Sequence, residues 1–169
     1  MKIIIIITVT IVTLLSLAMV TKYVANGVTT CWVSDDRAAE LMETRPLAEA
    51  GDPDAQSYMG FMYDAGWGVC EDKNEADKWY KLAAIGFTAA AEQGSAHAQS
   101  MLNEAFTYGH GVPFDPEEGA RWLKKAAAQG YPIAINNLGY KYSVGEGVPL
   151  VPVKAHMWHL IGVANGYHE

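Results

Sequence analysis

The stretch "GHGVPFDPEEGARWLKKAAAQG", Gly109 to Gly130, holds a turn, a helix start and a helix end in one run. Gly109 and Gly111 adopt left-handed backbone angles cheaply and so can close a preceding helix. Asp115 is a good N-cap, and Pro116 fits the first helical position, where no amide donor is needed. Glu117 and Glu118 then put negative charge at the positive end of a helix dipole. The helix carries Trp122, Ala126 and Ala127 inward until Gly130 stops it. Val112 and Pro113 are apolar residues inside this loop. An apolar residue there packs under the turn and fixes the angle between the helices on either side.

The same text recurs. Trp122 to Trp158 is 36 residues, and Gly109, Gly111, Val112 and Pro113 recur at that offset as Gly145, Gly147, Val148 and Pro149. One copy earlier the offset is 43, from Trp79 to Trp122, Gly66 to Gly109, Gly68 to Gly111 and Asp72 to Asp115. The seven extra residues fall within "KLAAIGFTAAAEQG", Lys81 to Gly94. Seven residues are nearly two helical turns, so an insertion of that length keeps the buried face in line. It predicts a longer second helix in the first copy, with a kink at Gly86 as the alternative.

Each copy reads as helix, turn, helix. Asp52 and Pro53 start the first helix of copy one, on which Ala55, Met59, Met62 and Tyr63 share a face. Asp72 with Glu75 has the form of a capping box for its second helix. The tryptophan recurs on the apolar side of every second helix, which predicts a buried ring at Trp79, Trp122 and Trp158. One helix pair cannot bury its apolar face alone, whereas stacked pairs can. The fold class is therefore all-α, a short solenoid of helix-turn-helix repeats of about seven helices after an N-terminal export or anchor segment.

These copies resemble the Sel1-like repeat (SLR) family, relatives of the tetratricopeptide repeat. The resemblance rests on "GDPDAQSYMGFMYDAGWGV…DKNEADKWYKLAA", "GSAHAQSMLNEAFTYGHGVPFDPEEGARWLKKAAAQG" and "GYPIAINNLGYKYSVGEGVPLVPVKAHMWHLIGVANG", covering Leu47 to Gly166. The third copy departs from the pattern. Val151 stands where Asp72 and Asp115 cap, and Ile135 stands for Gln56 and Gln99, as a terminal repeat allows. The resemblance implies a binding module. It further implies the role of adaptor or regulator of envelope processes, or of immunity protein to a secreted lipase toxin. A cysteine-rich branch for which β-lactamase or penicillin binding has been proposed pairs cysteines within each repeat. This chain lacks those cysteines.

The repeats divide the chain into 51–93, 94–129 and 130–169. Residues 34–50 read as N-terminal capping helices. Ser34 caps a helix over Asp35 to Thr44, and Arg45 to Gly51 reads as the end of a missing second helix. Residues 26–33 form a tether and 1–25 a signal peptide or signal anchor. The last reading rests on Lys2 followed by Ile3 to Val20, a run of 18 residues with no charge. Such a run is long for a cleaved signal and short for an anchor. The expected location is periplasmic or secreted, or anchored at the inner membrane. Cys31 and Cys70 are permitted to pair in an exported chain, and their spacing does not decide whether they do.

The formal charge of −7 argues against nucleic acid as a partner. No cofactor fingerprint is present. His156 and His159 are three apart on a helix, but no nearby carboxylate or cysteine completes a zinc site. Glu117 and Glu118 are explained by their place in a first helical turn and point apart, unlike the facing carboxylates of glycosidases. The alternative of a cell-envelope hydrolase therefore lacks a nucleophile or an acid pair. What remains is a surface. With Met59 inward, Ser57, Phe61 and Asp64 point the other way, with Ser100, Glu104 and Thr107, then Asn136, Tyr140 and Ser143, as equivalents. The tetratricopeptide likeness puts this first-helix face on the concave side. A groove with Phe61, Glu104 and Tyr140 suits a protein or peptide partner with aromatics as anchors. The competing reading packs Phe61 and Tyr140 against the neighbouring repeat.

Overall fold

The computed structural model describes residues Thr21–Val24, Gly27–Thr30 and 35–165. The described helices are α1 (Asp35–Glu49), α2 (Pro53–Ala65), α3 (Lys73–Glu92), α4 (Ala96–Tyr108), α5 (Pro116–Ala128), α6 (Pro132–Val144) and α7 (Pro152–Ala164). Packing is concentrated between helices adjacent in the chain, α1 on α2 through to α6 on α7. Layers that touch only the layers beside them make a solenoid, as the repeat implies. Ahead of the helices, β1 (Thr21–Val24) pairs antiparallel with β2 (Gly27–Thr30), Thr21 opposite Thr30. From its sequence this stretch is expected to hold only the end of an export segment and a tether. No described helix is long and apolar enough to cross a membrane. The run Ile3–Val20 and the cap at Ser34 lie outside the described residues.

The capping piece is one helix rather than two. α1 runs through Pro46 without a break. Proline removes one amide donor, but the turn that follows is held by Ala50 N–H on the Pro46 carbonyl at 3.0 Å. The long second helix of the first copy is as expected. α3 has 20 residues against 13 for α5, and its buried residues Ala76, Tyr80, Ala83, Ala84, Phe87 and Ala91 keep one face throughout. Gly86 does not end it. A Cβ there would stand 2.9 Å from the Pro53 Cβ, so the glycine lets the start of α2 rest on α3.

The caps follow the sequence. Asp52, Asp72, Ser95 and Asp115 all accept from backbone N–H groups of the turn they open. Val151 makes no side-chain cap bond. It keeps the backbone bond of its position, donating to the Tyr142 carbonyl at 3.0 Å, as Asp72 does to Tyr63 and Asp115 to Phe106, both at 2.9 Å. That bond closes the loop in every copy, so the third copy folds alike with a weaker helix start.

Two buried glutamines join the repeats. Gln56 Nε2 donates to the Ala48 carbonyl and Gln99 Nε2 to the Ala91 carbonyl, each at 3.1 Å. Each thus gives a second donor to a carbonyl in the last turn of the preceding helix, which also accepts from the Gly51 or Gly94 N–H. In the third copy Ile135 is buried among Leu123, Ala126, Leu138 and their neighbours, so that joint is apolar.

The tryptophans differ from expectation. Trp79, Trp122 and Trp158 are only partly buried. The next residue faces the core more directly in the first two copies, with Tyr80 at 7% and Leu123 at 0% exposure. Lys125 lies 3.6 Å over the Trp122 ring, so one face of the ring meets a cation and its solvent shell.

Cys70 is disulfide-bonded. The chain's only other cysteine is Cys31, which lies outside the described residues. Thiol titration of the unfolded, unreduced protein is expected to find essentially no free thiol. A full equivalent per chain overturns this.

Candidate interaction groove

The expected binding face belongs to α2, α4 and α6, the first helices of the three copies. Positions i, i+4 and i+7 of a helix lie on one face. That rule places the nine expected residues in three rows, and the structure treats the rows unequally.

Glu104 and Tyr140 are exposed at the centre. They share a cavity of about 350 Å³ with Asn103, Thr107, Tyr108, Asn137, Lys141 and Glu146. Tyr140 continues into a second cavity of about 490 Å³ with Asn136, Ser143 and His159. Glu104 also borders a small cavity of about 30 Å³ with Ser57, Phe87 and His110. Ser57, Glu104, Asn136 and Tyr140 therefore lie along one run of adjoining hollows. Burial against the walls pushes the Glu104 carboxyl above the usual carboxylate range. The residue as a whole is exposed, while its carboxyl is partly withdrawn from solvent.

The other expected residues are used differently. Ser100 is 2% exposed and does not reach the open face. Thr107 is buried and accepts from Lys141 Nζ at 3.0 Å. Asp64 is tied to Lys73 at 3.0 Å. Phe61 is 43% exposed but stacks on Tyr58, with ring centroids 5.9 Å apart, and meets Trp67 at 6.2 Å. This aromatic group anchors the capping helix. Glu40 of α1 accepts from the Tyr58 hydroxyl at 2.5 Å and from Trp67 Nε1 at 3.0 Å, while Arg37 lies 3.7 Å over the Trp67 ring. The Tyr58 hydrogen bond, then that of Trp67, holds the Glu40 carboxyl below its ordinary value. Phe61 is thus packed within its own copy and against Trp67, with an edge left to solvent.

The residue between the paired glycines has the same job in the first two copies. Trp67 docks on α1, and His110 stacks on Tyr80 of α3 with centroids 4.1 Å apart and planes 3° apart. Burial lowers the His110 pKa. A histidine held as a flat neutral ring suits this contact.

The Sel1 repeat pattern matches residues 53–85, 96–131 and 132–167, more than half of the chain. The chain belongs to the Sel1-repeat family. Among solved structures it is similar to a Sel1 repeat protein from Oxalobacter formigenes, at 32% identity and TM-score 0.50, over 76% of this chain and 92% of that one. It is also similar to a protective antigen present in uropathogenic Escherichia coli strains displaying an SLR fold, at 36% identity and TM-score 0.52. That match covers 76% of this chain and 26% of the antigen, so this chain spans about a quarter of its length. No curated protein is similar enough in sequence to count as a relative. Sel1-repeat proteins generally act as protein–protein interaction modules.

Seen as Sel1 repeats, the copies also show what the stripe of nine residues omits. Tyr108, Asn103, Asn137, Lys141 and Glu146 line the central cavity and come from flanking helix positions and the third GxG loop. Lys141 carries a readable signal. It occupies the position of Met62 and Ala105, both buried, and is itself 3% exposed. A charge at a core position needs a partner, and Glu146 supplies one at 3.0 Å. Among the described residues no group of three or more His, Cys, Asp and Glu is placed to hold a metal. His156 and His159 are both exposed on α7.

Proposed function

We propose that this chain is an exported, non-catalytic protein-binding module of the bacterial cell envelope. It serves as an adaptor or regulator, with immunity protein to a secreted lipase toxin as the specific form to test first. The run of adjoining hollows centred on Glu104 and Tyr140 carries the reading. It offers an extended segment an exposed tyrosine, a partly desolvated carboxyl and the side-chain amides of Asn136 and Asn137. Aromatic anchors with polar neighbours are what protein interfaces use most. Export rests on Lys2 and the apolar run after it, and the family supports binding over catalysis.

Affinity pull-down from the host envelope supplies the partner, and the variants then test the face. Tyr140→Ala is expected to weaken binding roughly 5- to 150-fold, or about 1–3 kcal/mol, without moving the melting temperature. Tyr140 is 63% exposed, so its loss leaves the core intact. Phe61→Ala is expected to weaken binding within the same range, and its effect is read after correcting for the packing it loses with Tyr58. Unchanged affinity in both variants removes this groove from the account.

A further inference from the structure

The last helix carries an apolar stripe where its two counterparts are polar. At three equivalent positions copy one has Asn74, Lys78 and Lys81, and copy two has Glu117, Arg121 and Lys124, all exposed. Copy three has Val153, Met157 and Leu160 there, and they are 79%, 45% and 54% exposed. The spacing i, i+4, i+7 puts them on one face of α7. In the first two copies this face takes part in ion pairs within the helix, Lys78 with Glu75, Lys81 with Asp77 and Arg121 with Glu118. The change is therefore coordinated along one line of the helix surface, and scattered exposed apolar residues would not produce it.

We infer that this stripe is the contact between two copies of the chain, with α7 packed against α7 about a two-fold axis. Charge favours that occupant. The chain carries −7 overall, so two copies repel through most approaches. From Gly147 to Asn165 there is no Asp or Glu and one Lys or Arg, Lys154. That lysine lies 5.3 Å over the Tyr142 ring of its own molecule. A second copy also brings a matching stripe by construction, since a two-fold contact uses the same patch on both sides. A lipid surface fits less well, because interfacial helices depend on several Lys and Arg beside the apolar face. Three side chains make a small apolar centre against the ~800 Å² per partner of a standard interface, so the dimer is expected to be weak and transient. The stripe is on α7, outside the rows of α2, α4 and α6, so this inference stands or falls separately from the groove.

The test is sedimentation of the protein as isolated from its host, across a concentration series. The wild type is expected to dimerise in the micromolar range. Met157→Arg with Leu160→Lys places the residues of copy two at the same positions and is expected to weaken the dimer at least tenfold. Circular dichroism of that variant should match the wild type. As a second variant, Met157→Cys treated with a short bismaleimide is expected to cross-link into dimers. A wild type that remains monomeric at several hundred micromolar overturns the inference. So does a dimer unchanged by the double substitution, or a protein that floats with phosphatidylethanolamine–phosphatidylglycerol vesicles and does not self-associate.

Discussion

Leu123→Ala is expected to destabilise the protein by about 2–5 kcal/mol, while Trp122→Ala, one residue earlier, costs less. Leu123 is 0% exposed and sits among Ala120, Ala126, Ala127, Ala134, Ile135 and Leu138. Truncating it leaves a cavity walled largely by alanines, which cannot lean in to fill it. The cost should therefore sit toward the upper part of the range. Trp122 is larger, and size alone would predict the bigger loss. Its ring is partly buried, however, and Lys125 covers one face. Part of its surface is already hydrated, so truncation recovers less apolar burial. Urea denaturation of the two variants in parallel decides the order. An equal or larger loss at Trp122 returns the tryptophan to the core.

The same contrast shows what was legible in the sequence. The repeat offset fixed the number of helices, the caps and the turn glycines, because each depends on local backbone chemistry. The seven-residue insertion was legible as two extra turns of α3. The capping helix was not, because a proline at position 46 reads as a break unless the surrounding turn is seen. Period alone also put the Trp122 ring in the core, where Leu123 sits instead. Neighbouring residues on a helix differ by about 100°, and which of them meets the next layer depends on the angle between layers. The groove was half legible for a related reason. Glu104 and Tyr140 followed from a stripe on single helices. The cavity they share is closed by Tyr108 and Lys141, at other positions of the same two helices, and by Glu146 from the third GxG loop. Ser100 has the right register and the wrong depth, since α4 has repeats packed on both sides.

Gly111→Ala is expected to cost several kcal/mol, well beyond the same substitution at Gly94. The two glycines have the same kind of backbone, with φ of +72° and +95°. An L-residue at such angles costs on the order of 1–2 kcal/mol in strain. Around Gly94 there is nothing within 4 Å of an added Cβ. Its alanine variant therefore measures the strain alone. At Gly111 the added carbon would overlap the Tyr80 carbonyl group and the Lys81 nitrogen, which belong to the backbone of α3. A helix backbone cannot step aside as a flexible side chain can. Relief would have to come from lifting the whole GxG loop, which would pull His110 off Tyr80 and open the joint between copies one and two. Gly68 meets Arg37 and Gly147 meets Pro116 in the same way, so the second glycine of each loop is the point where one repeat touches the helix of the layer before it. Thermal or denaturant unfolding of the Gly94→Ala and Gly111→Ala proteins separates strain from overlap. If the two variants lose equal stability, the close approach at Gly111 contributes nothing, and the paired glycines serve the turn alone.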